Sequence, residues 1–502
     1  MHRIIDLLIT DLRYLVSDLG KDGGLTSPSV YDTAQVLRMA PPTDIDPALL
    51  WLLEQQHDDG GWGDPALPLT RDVPTLAAIL ALHTHGRRTH NHAAIRAGLA
   101  FLERQAGQWS PPLPDDIPSA IELLMPRLLE IATDAGLDID VEAYSALIGL
   151  GQRRRHLIAR MRPRAGTAAV HSWEAWGSNP DPEVIDGSGG VGHSPAATAA
   201  WIRAAGDDPT LVARAEAARC YLEGASASTG TGICGVVPNA WPIARTEQAT
   251  ALYGILVAGL LDHPALRGPV QEILTDLDRA LTPTGMGTSD HFIPDGDDTG
   301  MALACLAGRR KVAPKPMLHF SVNAHFSTYA GELQPSLSTT AHALHALALM
   351  NQSAPQTSVY LIERQRPDGR WTGDKWNGSW LYTTSHALTA LLACGVRDVS
   401  GALKSLIEHQ RADGGWGLLE SNSEETAYAV TALLQINRSG LLTPDGCESL
   451  RRAAEFLKSR YRPLSEETVA VWLAKEPYRP RRVSRAFELS ALLALVLEGF
   501  AR

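Results

Sequence analysis

The chain runs to 502 residues, 44% of them hydrophobic and 20% charged. That balance describes a soluble globular protein of two to four domains at roughly 150 residues each, and it excludes a largely disordered chain. Forty-five basic against 56 acidic residues leave a net charge of −11, which disfavours nonspecific attraction to nucleic acid or anionic lipid.

The opening segment, MHRIIDLLITDLRYLVSDLG, carries a charge every few residues. It predicts an amphipathic helix and neither a signal peptide nor a membrane span. Five scattered cysteines, with no C-x-x-C pair, read as small core residues in a reducing compartment, so a cytoplasmic protein is expected.

Two repeats then interleave along the chain. The spacing Q-x-x-x-G-x-W occurs at Gln56 to Trp62, Gln365 to Trp371 and Gln410 to Trp416, the last two forty-five residues apart. Each Gly is expected to cap the end of an outer helix, with the Trp folding back over it. Ala- and Leu-rich runs with almost no charge start near Thr75, Pro195, Thr246, Asp298, Thr339, Thr383 and Thr426; a helix apolar all round is buried all round. Buried helices alternating with Gln-Gly-Trp helices predict an all-α protein of concentric α/α barrels, and at about 45 residues per hairpin the chain supplies two such barrels. The small-residue segment Gly224 to Gly235 (GASASTGTGICG) is expected near their boundary, with Trp173 to Gly192 a loop inside the first. The basic run RRRHLIARMRPR from Arg153 reads as a solvated helix face.

Chemistry concentrates in HFIPDGDDTGMALACL, from His291, where Asp295, Asp297 and Asp298 stand directly before a buried helix. One reading makes Asp297 or Asp298 a simple helix cap and leaves the others solvated. But a cap needs one acid, and three carboxylates beside an apolar cavity repel one another. Repulsion and desolvation keep at least one protonated while the helix N-terminus stabilises the anion left after donation. Such a group is a strong proton donor and a poor metal cage.

DGDDTGMA resembles the D-x-D-D-T-x-x-A motif of class II terpene cyclases, and Q-x-x-x-G-x-W resembles the repeat they share with squalene–hopene and oxidosqualene cyclases. The likeness extends to SPSVYDTAQ from Ser27, GWGDP from Gly61, HSWEAW from His171, DGSGGVGHSPAATAAW from Asp186, GVVPNAWPIARTEQ from Gly235, DKWNGSWLYTTSHAL from Asp374, EETAYA from Glu424 and WLAKEPYRPRRVSRA from Trp472. As a whole the chain is similar to the bacterial two-barrel class II diterpene cyclases. This resemblance implies an N-terminal helix, residues 1–18, belonging to the second (β) barrel; an inserted first (γ) barrel, 19–215; and the β barrel proper, 216–502, with the active site between the two. It also implies that Asp297 protonates the terminal alkene of a prenyl diphosphate, that Asp295 and Asp298 tune it, and that His342 hydrogen-bonds it. Two departures from the family pattern, Gly296 between the acids and Gln35 after Tyr-Asp-Thr-Ala, bear on cavity shape.

Further expectations follow from the resemblance. Asp115 and Asp116, with Glu122 a turn on, lie where plant relatives carry an acidic motif associated with Mg²⁺ and the diphosphate; a capped helix start is the competing reading. Lys475 matches a lysine of the family's W-x-G-K segment, with Ala474 in place of Gly, and Arg485 follows on the terminal helix; both are candidate diphosphate ligands. Trp376, Trp380 and Tyr382, with Trp241 and Tyr428 behind, are the candidate aromatic faces for carbocations. No D-D-x-x-D motif occurs, so the diphosphate is expected to stay on the product, to be passed to a class I synthase or a phosphatase. The substrate expected is geranylgeranyl diphosphate, giving a labdane-, halimane- or clerodane-type diphosphate; farnesyl diphosphate giving drimenyl diphosphate is the near alternative. A monomer or homodimer is expected. Rivals of another class are a noncatalytic α/α-toroid binding protein, which has no reason to set three acids over an apolar cavity, and a zinc prenyltransferase β-subunit, which needs an Asp/Cys/His site.

Overall fold

The computed structural model describes residues 2–85, 89–114, 117–332, 334–461 and 469–501. Helices dominate; among the described residues the strands form two short antiparallel hairpins, Ser321–Val322 with His325–Phe326 and Trp472–Leu473 with Pro477–Tyr478. Six helices pack side by side into a closed ring: Ala244–Val257, Gly296–Ala307, Leu337–Leu349, Trp380–Ala393, Ser423–Arg438 and Arg481–Leu497. An outer layer surrounds them, formed by Arg267–Ala280, Pro355–Glu363, Ser400–Glu408 and Pro444–Ser459. The N-terminal helix His2–Asp18 completes that layer by packing on Arg481–Leu497 and Arg267–Ala280, with Leu8, Leu12 and Val16 fully buried. A second, smaller ring consists of Val30–Met39, Asp72–His85, Ile121–Asp134 and Pro195–Ala205, closed by the irregular segment Ala168–Ala175.

The two repeats interlock. In each Gln-Gly-Trp segment the indole donates to a carbonyl near the end of the preceding outer helix: Trp62 to Leu52, Trp371 to Leu361 and Trp416 to Leu406, at 2.7–2.8 Å. The Trp backbone N–H meanwhile donates to a threonine of the next inner helix, Thr75, Thr384 or Thr426. Contrary to the expectation from sequence, the glycines do not cap those helices, whose C-caps are Gln55, Arg364 and His409. They close a turn several residues beyond, with φ near +88°, and a Cβ on Gly60, Gly369 or Gly414 would stand 2.2–2.6 Å from a backbone oxygen of the next outer helix. Only glycine meets both demands.

One apolar core gathers Leu8–Leu19 with residues 249–501, and two further clusters span residues 31–237. The expected boundary at 215/216 falls inside the helix Val212–Ser228, which packs on Pro195–Ala205 and so belongs with the first barrel. Gly224 to Ser228 are likewise the end of that helix and not linker.

Candidate active site

The acid motif forms the N-cap and first turn of the second inner helix, Gly296–Ala307. Asp295 is the N-cap, its Oδ1 accepting the Asp298 N–H at 2.8 Å, and Thr246 donates to Asp298 Oδ2 at 2.6 Å. Capping thus falls to Asp295, not to Asp297 or Asp298. Burial, and next the repulsion of Asp298, push the Asp295 carboxyl well above the usual carboxylate range; burial is also the leading cause for Asp298, which rises too. Both are almost wholly enclosed, whereas the Asp297 side chain keeps 13% of its surface. Oδ1 of Asp297 lies 2.7 Å from Nδ1 of the fully buried His342, and no hydrogen bond among the described residues engages Oδ2. Of the three acids, Asp297 is the one placed to hand a proton outward.

Glycine makes this geometry possible. Gly296 is not a flexible choice: a Cβ there would stand 2.6 Å from the Ser327 carbonyl oxygen and 2.9 Å from the Thr339 methyl. Gly300, one turn on, would bring a Cβ to 3.2 Å from His342. These two residues let the acid-bearing helix approach its neighbour closely enough for the Asp297–His342 bond.

Four of the six inner helices share one register. Thr299, Thr340, Thr384 and Thr426 each accept a backbone N–H from the segment before their helix, those of Met286, Phe326, Trp371 and Trp416. Two residues before each threonine come Asp297, Ser338, Tyr382 and Glu424; two residues after come Met301, His342, His386 and Tyr428. Four residues make about one helical turn, so these are two successive layers of the barrel interior. In the lower layer Nε2 of His342 meets Nδ1 of His386, and the rings stand 4.6 Å apart. Tyr253 packs on both histidines and shares a 2.8 Å hydrogen bond with His345. In the upper layer Glu424 Oε1 accepts from Tyr428 OH at 2.6 Å and from Trp472 Nε1 at 2.7 Å. Tyr382 joins the layers, its ring 5.1 Å from both Tyr428 and Trp472 and 4.1 Å from His386.

Beside this chamber the two barrels meet. His193 of the first barrel shares a 2.6 Å hydrogen bond with Ser289 and packs on Phe292, and the row continues through Tyr329 to Trp376. A cleft of about 230 Å³ opens between the barrels, lined by Leu67, Pro68 and Ile117 on one side and by Gln334, Lys375 and Leu473 on the other. Asp374 also lines it, and Asp297 is among the groups that, after burial, raise the Asp374 carboxyl. The cleft therefore reaches the neighbourhood of the acid.

Not every residue singled out from sequence comes to this place. Asp297, Asp295, Asp298, His342, Tyr382 and Tyr428 come together, with Trp376 at the mouth, its indole donating to Thr328 at 2.8 Å. Trp380 faces outward against His409 and Arg370. Trp241 packs on Tyr221 and donates to the Asp22 carbonyl, by the connections between barrels. Lys475 is no solvated end: it is buried, 2.6 Å from Glu174 and from Ser194, with Tyr31 donating to the same Glu174 oxygen. Its charge is already matched, which makes it a strut between barrels. Arg485 pairs with Glu488 at 3.0 Å and lies over Tyr461 near the outer layer. Gln35 is buried and holds Arg38. Asp115 and Asp116 lie outside the described residues, and Glu122 is buried, its carboxylate 3.6 Å from Arg154. Among the described residues no group of three His, Cys, Asp or Glu is arranged to hold a metal.

Sequence reading missed His386, Glu424, Trp472 and Tyr253. The signal for the first two was present, because TTAHAL and TTSHAL align His342 with His386, and DDT aligned on EET sets Glu424 opposite Asp297.

An α/α barrel that sets a partly exposed carboxylic acid beside a buried cluster of tyrosine, tryptophan and phenylalanine rings is the apparatus of a class II terpene cyclase, which starts its reaction by protonating an alkene. Comparison with known proteins agrees. Residues 327–441 match the family model described as squalene-hopene cyclase C-terminal domain. The chain is 46% identical to the (+)-kolavenyl diphosphate synthase of Herpetosiphon aurantiacus, over 99% of each, and 33% identical to an ent-copalyl diphosphate synthase of Streptomyces, covering 94% of this chain and 93% of that one. The structure of an ent-copalyl diphosphate synthase from Streptomyces platensis superposes with a TM-score of 0.80 at 30% identity, covering 97% and 99%. The chain belongs to the bacterial class II diterpene cyclases.

Proposed function

We propose that this protein protonates the terminal alkene of geranylgeranyl diphosphate and closes it to a bicyclic diphosphate, a clerodane of the kolavenyl type being the first product to seek. The observation that carries this reading is the Asp297–His342 pair, with Oδ2 of the acid left for substrate. The Asp297 proton forms a C–H bond at the alkene terminus, and the positive charge left on the adjacent tertiary carbon is attacked by the next π bonds in turn, closing two rings. The faces of Tyr382, Tyr428 and Trp472 stabilise the cation as it moves; successive 1,2-hydride and methyl shifts around the closed rings turn the first-formed labdane cation into the clerodane skeleton, and loss of a proton from the ring system ends the sequence. His342 holds the Asp297 carboxylate until it is reprotonated. The skeleton follows the 46% identical relative, which its name describes as a kolavenyl diphosphate synthase.

The diphosphate stays attached in this scheme, so a class I synthase or a phosphatase acts next. Mg²⁺ would neutralise diphosphate charge while Asp115 and Asp116 hold it, with no part in alkene protonation. We place the protein in the cytoplasm as a monomer or homodimer; no helix among the described residues is long and apolar enough to cross a membrane. The test is incubation of the purified protein with C20 and, separately, C15 prenyl diphosphate over a Mg²⁺ series, followed by dephosphorylation and product identification. A bicyclic C20 alcohol with no inorganic diphosphate released is the expected outcome. Turnover of the C15 substrate alone would replace the reading by a drimenyl-type cyclisation, and diphosphate released in step with cyclisation would overturn it.

A further inference from the structure

The partner of the acid has a partner of its own. His342 meets Asp297 through Nδ1, and its Nε2 meets Nδ1 of His386. Both imidazoles are buried, and burial holds His386 well below the usual histidine range, with repulsion from His342 and His345 adding to it. A neutral imidazole has one N–H and one lone pair, so the chain can run in only two directions. In one, His386 Nδ1–H donates to His342 Nε2, and His342 Nδ1–H donates to Asp297 Oδ1. In the other, Asp297 spends its own proton on His342, which donates to His386, and His386 must carry a proton on Nε2. That atom is buried and has no hydrogen-bond partner among the described residues. An orphaned N–H is rarer in folded proteins than an orphaned acceptor, which favours the first direction.

We propose that His386 is a positioning residue for the proton donor: its Nδ1–H fixes His342 in the tautomer that donates to Asp297, leaving the acid's proton on Oδ2, toward the substrate. The proposal rests on the cyclase reading above. Without the donor nothing fixes the tautomer: His342 can carry its N–H on Nε2 instead, and the Asp297 proton is then spent on Nδ1 and no longer presented to the substrate. All but one of the groups facing His386 are committed elsewhere or carry no donor. His342 and His345 belong to the next inner helix, Tyr253 hydrogen-bonds His345, Tyr428 donates to Glu424, Phe487 is apolar, and Tyr382 OH has no hydrogen-bond partner.

The experiment compares His386→Leu, of similar size and without a donor, with His386→Asn, whose amide N–H stands where Nδ1–H did. Expected for His386→Leu is a loss in kcat of at least about thirtyfold with KM within about threefold, and a fall-off of kcat at lower pH than in the wild type. His386→Asn should restore kcat to within about fivefold, with the wild-type pH profile. Wild-type kcat in His386→Leu, or equal losses in both variants with an unshifted pH profile, would overturn the proposal. The tautomer is also read without turnover, from imidazole ¹⁵N shifts of histidine-labelled protein: His386 and His342 should both be protonated at Nδ1. A protein that turns over neither C20 nor C15 substrate would sink the cyclase reading, while those shifts decide the tautomer by themselves.

Discussion

Asp297→Asn isolates the proton from everything else the side chain does. The amide keeps size and shape, and its carbonyl oxygen can take the place of Oδ1, 2.7 Å from His342. Only the acidic proton on Oδ2 is lost. Neither neighbour can supply it: Asp295 Oδ1 accepts the Asp298 N–H and Asp298 Oδ2 accepts from Thr246, both in enclosed positions. General acids usually contribute about 10²–10⁴ in rate, and with no second donor facing the chamber the loss belongs at the upper end. A 10⁴-fold fall in kcat is a barrier higher by about 5.5 kcal/mol. The fold should not suffer, because the hydrogen bond survives and no charge is added to a site where Asp297 raises its neighbours. The assay is single-turnover product formation from C20 substrate, with Tm measured alongside. Asp295→Asn is the control: asparagine caps a helix as well as aspartate, so it should fold and lose much less, about ten- to a hundredfold. An Asp297→Asn protein that keeps turnover within tenfold of wild type, at unchanged Tm, would remove Asp297 from the mechanism.

Gly296→Ala should lower Tm and kcat together, because its Cβ would stand 2.6 Å from the Ser327 carbonyl and force the acid-bearing helix away from the helix of His342; a variant with wild-type Tm and kcat would show that this close approach is dispensable. Between the barrels, burial raises Glu476 to about 8 and Asp32 to about 7. A carboxyl raised on folding stabilises fully below its unfolded value, near 4, and that contribution is lost as pH climbs through the folded one. Wild-type Tm should therefore fall between about pH 5 and pH 8, and Glu476→Gln, which keeps an oxygen to accept from Tyr31 N–H, should flatten the fall. Parallel Tm–pH curves for the two proteins would refute this.

What could be read from the sequence was what repeats or what is chemically costly. Ala-rich runs and Gln-Gly-Trp segments announced two layers of helices because burial imposes composition, and three acids within four positions stood out because nothing structural needs three. What could not be read was which way a side chain faces once the layers close. Trp380 and Tyr382 are two residues apart at the start of one helix, yet the first meets Arg370 and His409 in the outer layer while the second joins the acid's chamber. Two residues turn an α-helix by about 200°, which reverses the face. The phase was nonetheless encoded, in the threonine that four of the six inner helices use to accept a backbone N–H from the segment before them. Counting from Thr299, Thr340, Thr384 and Thr426 puts Asp297, Tyr382 and Glu424 in one layer and His342, His386 and Tyr428 in the next. Trp380 stands four residues before its threonine and outside both. The cations of the C-terminal segment escaped any such count. Lys475 and Arg485 look exposed in sequence because their partners, Glu174 and Glu488, come from a distant segment and from the next helical turn. Repetition gives the register of a barrel, but the far side of an ion pair is known only when the chain has closed on itself.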